Sequence, residues 1–328
     1  MTIRIAQLGT WHVHARHHVE DARGNPETEP VVVWDERPGA AAEFGAGLGL
    51  PVDDDLNRIL ARDDVDAVVV DTATTAHVPV IGAALRAGKH VFSEKVLATT
   101  GDDVRELVAL AEEHGRVLGV SLPRLSDPAV RTAARLVAEG AIGDLTGSRF
   151  RYAHHGAVGT PWIPEHFFDP AQTGGGALID LGAHPVYLAL LFHGRVPDRV
   201  SATLQRVTGR AVEDNGALVM DFGDALAVAE VSMIGSFLGS SFELAGTAGS
   251  IASVPGGDGV VLRQGPTGPW VEQPSDAALP DPFEQWVARV LAGSSDAGHL
   301  ATVVAVTDVL EAGYRSSAEG VVTPVRAA

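Results

Sequence analysis

Eleven consecutive residues, Gly174–His184, constrain this chain more than any other segment. Three glycines lead into an apolar stretch that carries one carboxylate, Asp180, and one imidazole, His184. On a helix, positions four apart share one face, so these two side chains would form an acid/base pair. We therefore predict a helix over Gly174–Phe192. Pro185 removes a backbone donor and is expected to kink the axis beside the histidine.

The composition limits the class of protein. The chain has 328 residues, 45% of them hydrophobic, and a formal net charge of −18. This length and apolar content predict a globular protein of two domains, and the negative charge disfavours nucleic-acid and anionic-membrane partners. The absence of cysteine excludes disulfides, a thiolate nucleophile and iron–sulfur sites. Without a run of 18 apolar residues or a signal-peptide pattern at the N-terminus, we expect a soluble cytoplasmic protein.

The first part of the chain alternates short apolar runs with amphipathic stretches. The runs predicted as strands are Ile3–Leu8, Val31–Trp34, Ala67–Val70, Lys89–Phe92 and Arg116–Ser121. Apolar strands that alternate with helices predict a parallel sheet covered on both faces. We therefore predict an α/β fold whose residues 1–121 form a doubly wound domain of the Rossmann type.

The second part follows a different pattern. After one helix, strands with hairpin spacing follow one another between residues 199 and 263, which predicts an open, mainly antiparallel sheet. Two helices, Pro282–Ala292 and Leu300–Tyr314, are predicted to close the chain. Residues 122–328 are thus expected to form an α+β domain. Because the terminal helices can cover only one face of the sheet, we predict a homodimer or homotetramer that pairs the other face.

A cofactor site is predicted at the end of the first strand. Gly9 is the one glycine retained of a G-x-G-x-x-G fingerprint, since Trp11 and His14 occupy the other two glycine positions. Asp35 follows the second strand, 26 residues after Gly9, where an acidic side chain binds the ribose hydroxyls and repels a 2′-phosphate. NAD is therefore favoured over NADP, although Arg37 lies close by. The alternative is that Asp35 only caps the helix that begins near Pro38.

Five motifs carry a family resemblance. They are Thr72–His77, similar to T-P-N-x-x-H; Ala87–Lys95, similar to A-G-K-H-V-x-x-E-K-P but followed by Val96; Gly174–His184, matching G-G-G-x-x-x-D-x-G-x-H; Glu213–Asn215, matching E-D-N; and Gly246–Ser250, matching G-T-x-G-S. On these motifs the chain resembles the Gfo/Idh/MocA oxidoreductases. Val96 removes the proline that can fix a cis bond and orient the preceding lysine.

The resemblance implies hydride transfer between a nicotinamide cofactor and a secondary alcohol of a sugar or cyclitol. It assigns the catalytic roles to Lys95, Asp180 and His184. A neutral imidazole suits proton acceptance, a lysine ammonium stabilises an alkoxide, and a carboxylate can orient the ring or bind a neighbouring hydroxyl. The residues expected to bind the cofactor are Gly9, Thr10, Trp11, His12, Val13, Asp35, Glu36, Arg37, Thr72, Ala73, Thr74, His77, Glu94 and Lys95. The residues expected to bind substrate are Lys95, Arg124, His155, Trp162, Asp180 and His184.

Three other functions are compatible with parts of the sequence. A His-x-His pair, His12 and His14, also begins metal-dependent hydrolase barrels, but eight βα units are not found, so no metal is expected. We expect these two histidines to face the cofactor, and His17 and His18 to face solvent. A non-catalytic sensor of cofactor and sugar is disfavoured because the lysine and histidine are kept. A redox-assisted lyase or glycosidase would use the same residues and stays open.

Overall fold

The chain divides into two compact units. A computed structural model describes residues 2–235, 239–254, 257 and 259–326. The first unit comprises Met1–Ser121 and Asp281–Val304, and the second comprises Leu122–Pro280 and Ala305–Ala328. The segment 281–304 was expected to belong to the second domain, residues 122–328, but it packs with the first unit.

The elements of both units follow in chain order. The strands are β1 (Ile3–Leu8), β2 (Thr28–Trp34), β3 (Ala67–Val70), β4 (His90–Ser93), β5 (Leu118–Val120), β6 (Leu145–Ala153), β7 (Arg199–Gln205), β8 (Asn215–Asp221), β9 (Leu226–Ser232), β10 (Ser241–Gly246), β11 (Gly249–Ser253), β12 (Val260–Gln264), β13 (Val271–Glu272) and β14 (Thr323–Pro324). The helices are α1 (Ala15–Gly24), α2 (Ala40–Leu48), α3 (Leu56–Leu60), α4 (His77–Arg86), α5 (Gly101–Glu113), α6 (Pro128–Ala138), α7 (Pro170–Thr173), α8 (Ala177–Leu181), α9 (Ala183–His193), α10 (Pro282–Ala292) and α11 (Ala297–Glu319). Short 3-10 helices span Thr74–Ala76, Pro123–Ser126 and Glu165–Phe168.

The first unit is built on a parallel sheet. Within the described residues its strand order is β2-β1-β3-β4-β5, and every neighbouring pair is parallel. All four residues of β3 are buried, as expected for a strand covered on both faces. Helix ends are set by local polar groups: the Thr100 side chain caps α5, and Asp281 forms a capping box with Glu284 on α10. The predicted doubly wound sheet is confirmed.

The strand order locates the ligand crevice of this unit. From β1 the chain continues to β2 on one side of the sheet and then to β3 on the other side, so the strand order changes direction between β1 and β3. Ligands of doubly wound sheets bind outside the carboxyl ends of the strands at such a point. Gly9 follows β1, Asp35 follows β2, Asp71 follows β3 and Glu94 follows β4. The residues predicted to bind the cofactor therefore begin at these strand ends.

The second unit is built on a mainly antiparallel sheet. Among the described residues its strands run in the order β13-β12-β11-β10-β6-β9-β8-β7-β14, and the one parallel pair is β6 with β9. Helices α8 and α9 pack against β6, β8 and β9 on one face. On β6, Ser148 and Phe150 are buried, whereas Arg149 and Arg151, which alternate with them, are more exposed, as a sheet with one covered face requires. The predicted open antiparallel sheet is confirmed.

The single helix predicted over Gly174–Phe192 is wrong. The chain forms α8 and α9 there, with a break at Gly182, so Asp180 and His184 lie on different helices. Because α9 begins at Ala183, Pro185 falls in its first turn, where a missing amide breaks no intrahelical bond. Among the described residues no single helix is long and apolar enough to cross a membrane. Only the pair Pro170–Leu181 and Ala183–His193, bent by 45°, meets that criterion together, by length and composition.

Candidate active site

The turn after β1 depends on one glycine. Gly9 has φ 87°, and a Cβ there would lie 2.4 Å from the backbone nitrogen of Thr72. This close approach joins the turns that follow β1 and β3. The Asp71 carbonyl accepts hydrogen bonds from the backbone amides of Trp11 and His12, each 3.1 Å long. The Trp11 side chain is buried.

Asp35 directly follows β2, and both oxygens of its carboxylate accept hydrogen bonds. Its two oxygens accept bonds from the amide and hydroxyl of Thr10 (2.7 and 2.6 Å) and from the amide and guanidinium of Arg37 (2.7 to 3.0 Å). Burial opposes ionisation of Asp35, but Arg37 and Thr10 outweigh it and lower the pKa of the carboxyl. The Asp35 side chain has no exposed area, whereas that of Arg37 is 35% exposed. Of this group, the guanidinium is therefore the more accessible to a ligand.

The segment after β3 joins the other predicted cofactor residues. Glu36 accepts a bond of 3.3 Å from the Ala73 amide, and burial raises the pKa of its carboxyl. Thr72 has a buried hydroxyl with no hydrogen-bond partner among the described residues. His77 is buried, and its Nδ1 lies 2.9 Å from the Val96 carbonyl, so this histidine holds the chain just after the lysine. The Lys95–Val96 peptide bond is cis.

Glu94 and Lys95 follow β4, and both are buried. One Glu94 oxygen accepts the backbone amide of Lys95 at 3.0 Å, and the other lies 2.8 Å from Nδ1 of His14. Burial would raise the pKa of Glu94, but His12, His14 and Lys95 hold it well below its ordinary value. Burial lowers the pKa of His12 to about 4, so this imidazole is neutral near pH 7.

His18 does not face solvent, and that expectation is wrong, whereas His17, with 71% of its side chain exposed, does. Residues three or four positions apart on a helix lie on the same face. The buried face of α1 is formed by Ala15, His18, Val19 and Ala22. His18 Nδ1 lies 3.0 Å from an Asp71 oxygen, and its Nε2 lies 3.6 Å from Glu94. Imidazole nitrogens and carboxylate oxygens, atoms of the kind that bind metal ions, lie within 4.8 Å of one another in two groups. One group is His12, His14 and Glu94, and the other is His18, Asp71 and Glu94.

In the second unit, the glycine triplet serves close packing. A Cβ on Gly176 would lie 1.9 Å from the Glu213 carbonyl oxygen, and one on Gly175 would lie 2.1 Å from the Tyr314 hydroxyl. Glu213 accepts the amides of Gly176 (2.9 Å) and Leu178 (3.1 Å) as well as the Tyr314 hydroxyl (2.6 Å). The glutamate of the E-D-N motif thus binds the first amides of α8, the helix that carries Asp180.

His184 is held by two tyrosines that the sequence analysis did not identify. Its Nδ1 lies 2.7 Å from the Tyr187 hydroxyl, and its ring stacks on that of Tyr152 at 4.2 Å. The Tyr187 oxygen accepts the Arg124 amide at 3.1 Å, and the Arg124 guanidinium donates to the Tyr152 hydroxyl at 2.9 Å. Burial opposes the charge of Arg124, but Tyr152 and Asp127 raise its pKa above the ordinary value. Tyr187 lies three positions after His184 on α9, a spacing that would have indicated the contact.

The other two predicted substrate residues lie in the loop after β6. His155 is exposed, and Trp162 is 52% exposed with its ring 4.8 Å from that of His154. Bonds from the Trp162 and Ile163 amides to the Gly156 carbonyl close this loop. Of the substrate residues predicted in this unit, the structure links Arg124 to His184 through the tyrosines. It places His155 and Trp162 in the loop after β6.

Comparison with known proteins identifies the family. Residues 3–122 match the family described as an oxidoreductase family with an NAD-binding Rossmann fold, and residues 130–252 match the GFO/IDH/MocA C-terminal domain. The chain is 31% identical over 271 residues to a dTDP-3,4-didehydro-2,6-dideoxy-alpha-D-glucose 3-reductase of Streptomyces violaceoruber, covering 80% of this chain and 77% of the relative. It is 27% identical over 216 residues to an inositol 2-dehydrogenase of Rhizobium meliloti, covering 66% and 62%.

A solved structure agrees in fold and cofactor class. GenD2 from gentamicin A biosynthesis, in complex with NAD, superimposes with a TM-score of 0.85 at 27% identity, covering 99% of this chain and 97% of that one. The fold and the matched motifs define an NAD(P)-dependent oxidoreductase. The chain belongs to the Gfo/Idh/MocA family.

Proposed function

We propose that this protein is an NAD-dependent dehydrogenase or reductase that acts on a secondary hydroxyl or keto group of a sugar, sugar derivative or cyclitol. The observation that carries the proposal is the placement of Lys95 directly after the strand end that bears Glu94, among the strand ends where a dinucleotide binds in this fold. The sugar and cyclitol substrates named for the relatives support the substrate class.

Features of the first unit fit a dinucleotide. The N-terminus of α1 carries no side-chain cap and no acidic residue in its first turn, as an anion site on helix amides requires. Gly9 lets the turn after β1 approach the Thr72 backbone, and the Thr72 hydroxyl is buried without a partner among the described residues. When bound, NAD⁺ supplies the hydride acceptor for alcohol oxidation.

The three proposed catalytic groups have different roles in alcohol oxidation. The Lys95 ammonium stabilises the alkoxide that forms as the hydroxyl loses its proton. The His184 imidazole accepts that proton, and Tyr187 fixes the orientation of the ring. Asp180 orients the substrate through a neighbouring hydroxyl.

NAD rather than NADP is proposed as the physiological cofactor. The three residues after β2, Asp35, Glu36 and Arg37, have two negative side chains and one positive one, which disfavours an added phosphate. Arg37 is the accessible member and opposes this preference. NAD binding at Asp35 requires one of its present bonds to be exchanged for a ribose hydroxyl.

The substrate is proposed to contact Arg124 and Tyr152 as well as His155 and Trp162. Arg124, Tyr152 and Pro185 line a cavity of about 160 Å³ in the second unit. The Nε of Arg124 is buried without a hydrogen-bond partner among the described residues, and a polyol hydroxyl would satisfy it.

We also propose a homodimer or homotetramer that pairs the open face of the second sheet. This face presents an ion-paired cluster, in which Glu230 binds Arg149 at 2.6 Å and Arg151 at 2.5 Å, and a half-exposed Trp270. A two-fold axis would place two such clusters opposite each other. The cytoplasmic location stays a prediction.

A cofactor-reduction screen tests the function. Purified protein with NAD⁺ or NADP⁺ is mixed with a panel of sugars, inositols and sugar acids, and absorbance at the wavelength of the reduced cofactor is followed. Reduction by a polyol that fails with the Lys95→Ala variant supports the proposal. Binding of the cofactor without reduction by any member of the panel would favour a sensor.

A further inference from the structure

A buried group of charged side chains contacts the backbone of Lys95 in the first unit. His18 comes from α1, Asp71 follows β3 and Glu94 follows β4. Their side chains are 5%, 0% and 2% exposed. His18 lies between the two carboxylates, with Nδ1 3.0 Å from Asp71 and Nε2 3.6 Å from Glu94.

The surroundings of His18 favour its charged form. Burial alone would lower its pKa, but Asp71 and Glu94 outweigh burial, and the pKa rises to about 9. Asp21, one turn later on α1, acts in the same direction. The rings of Phe92, His14 and His17 also lie near His18, with centroids 5.5, 6.3 and 6.4 Å from that of the imidazole. Two buried carboxylates so close together need such a cation, because like charges in a dry site repel strongly.

Glu94 connects this group to the lysine. One of its oxygens accepts the Lys95 amide at 3.0 Å, and the other lies near His18 and 2.8 Å from His14. A shift of the Glu94 carboxylate would therefore move the backbone from which the Lys95 side chain extends. The geometry joins α1 to the lysine through a single carboxylate.

We propose that His18 is a positioning residue, whose imidazolium keeps the Asp71 and Glu94 carboxylates together and so fixes the backbone of Lys95 for catalysis. The proposal rests on the proposed function, in which Lys95 acts in the reaction. His18 itself contacts neither substrate nor cofactor in this account, and it acts through Glu94.

The charge of His18 can be measured directly. In protein labelled with ¹³C and ¹⁵N, the imidazole signals of His18 are assigned by through-bond correlation to the His18 backbone. We expect both ring nitrogens to stay protonated from pH 6 to above pH 8. In Asp71→Asn the titration should move to lower pH, because one of the two neighbouring carboxylates is gone. A ring that already loses its proton below pH 7 in the unsubstituted protein would overturn the proposal, and this readout does not require His18→Gln to fold.

Activity tests the positioning role. His18→Gln removes the cation that lies between the two buried carboxylates, which raises the pKa of Glu94. We expect kcat to fall at least tenfold at pH 6 and its pH profile to gain an ionisation between pH 5 and 8. The double variant His18→Gln/Asp71→Asn restores the charge balance and should recover most of kcat. The matched control is His17→Gln, an exposed neighbour on the same helix, which should leave kcat and the profile unchanged.

Two results separate this inference from the proposed function. If Lys95→Ala keeps normal turnover, the proposed role of the lysine is wrong, whatever His18 does. If Lys95→Ala is inactive but His18→Gln keeps the normal kcat and pH profile, the proposed function stands and the positioning role is refuted. A double variant no more active than folded His18→Gln would also refute charge compensation.

Discussion

The hydroxyl of Tyr187 tests how the second unit prepares His184. The Tyr187→Phe substitution removes one oxygen and keeps the ring, which is completely buried and lies edge-on to the imidazole at 5.6 Å. What is lost is the bond of 2.7 Å to Nδ1 of His184 and the acceptor for the Arg124 amide.

The expected effect follows from burial. His184 is 5% exposed, so water does not readily replace the lost partner. A buried polar group left without its partner costs about 1–3 kcal/mol. Each 1.36 kcal/mol on the barrier is tenfold in rate, so kcat should fall by about 5-fold to 150-fold if the loss is felt in the transition state.

Steady-state kinetics and thermal unfolding are the assays. We expect a lower kcat, an unchanged affinity for NAD and a small drop in the unfolding temperature. The Tyr152→Phe variant is the comparison: it keeps the stacking on His184 and the bond from Tyr187 to His184, loses the bond from Arg124, and should cost less in kcat. A Tyr187→Phe variant that is folded and retains kcat within twofold would refute the orienting role.

The remaining predictions concern catalysis, cofactor, assembly and pH. Lys95→Ala, Asp180→Ala and His184→Ala should each lower kcat at least about a hundredfold, and near-normal kcat in any one would remove it from the mechanism. Calorimetry should give tighter binding of NAD⁺ than of NADP⁺, and Arg37→Ala should weaken NADP⁺ more; equal affinities would contradict this. Light scattering at micromolar concentration should give a multiple of 34.1 kDa, and the monomer mass would refute the oligomer. Folding raises the pKa of His18 from 6.5 to about 9, so the stability contributed by its charge should be fully present below pH 6.5 and lost as the pH rises through 9. The free energy of unfolding, measured by denaturant titration, should fall by roughly 3 kcal/mol over this range, and His18→Gln should not show this decrease.

The sequence predicted the two sheets because their patterns are local. Buried strands such as Ala67–Val70 are apolar throughout, and those of the second unit alternate as strands with one covered face do. The strand ends then followed from the topology, which places Gly9, Asp35 and Glu94 on one edge of the first sheet.

The sequence did not predict the break in the helix or the burial of His18. At Gly182 the break brings the backbone against the preceding turn, where a Cβ would lie 2.2 Å from the Leu178 carbonyl oxygen. The burial of His18 depends on Asp71 and Glu94, which lie far from it in the chain. The helical spacing of His18 with Val19 was visible in the sequence, but a histidine in a buried stripe is explained only when its partners are known.

The central claim is hydride transfer from a secondary alcohol, and isotope transfer tests it most directly. A polyol found in the cofactor screen is deuterated at the carbon that bears the reacting hydroxyl, and the products are analysed by mass spectrometry. The account predicts one deuterium in the reduced cofactor for each ketone formed. Substrate consumed with a cleaved bond and no net reduced cofactor would contradict it and indicate a redox-assisted lyase or glycosidase instead.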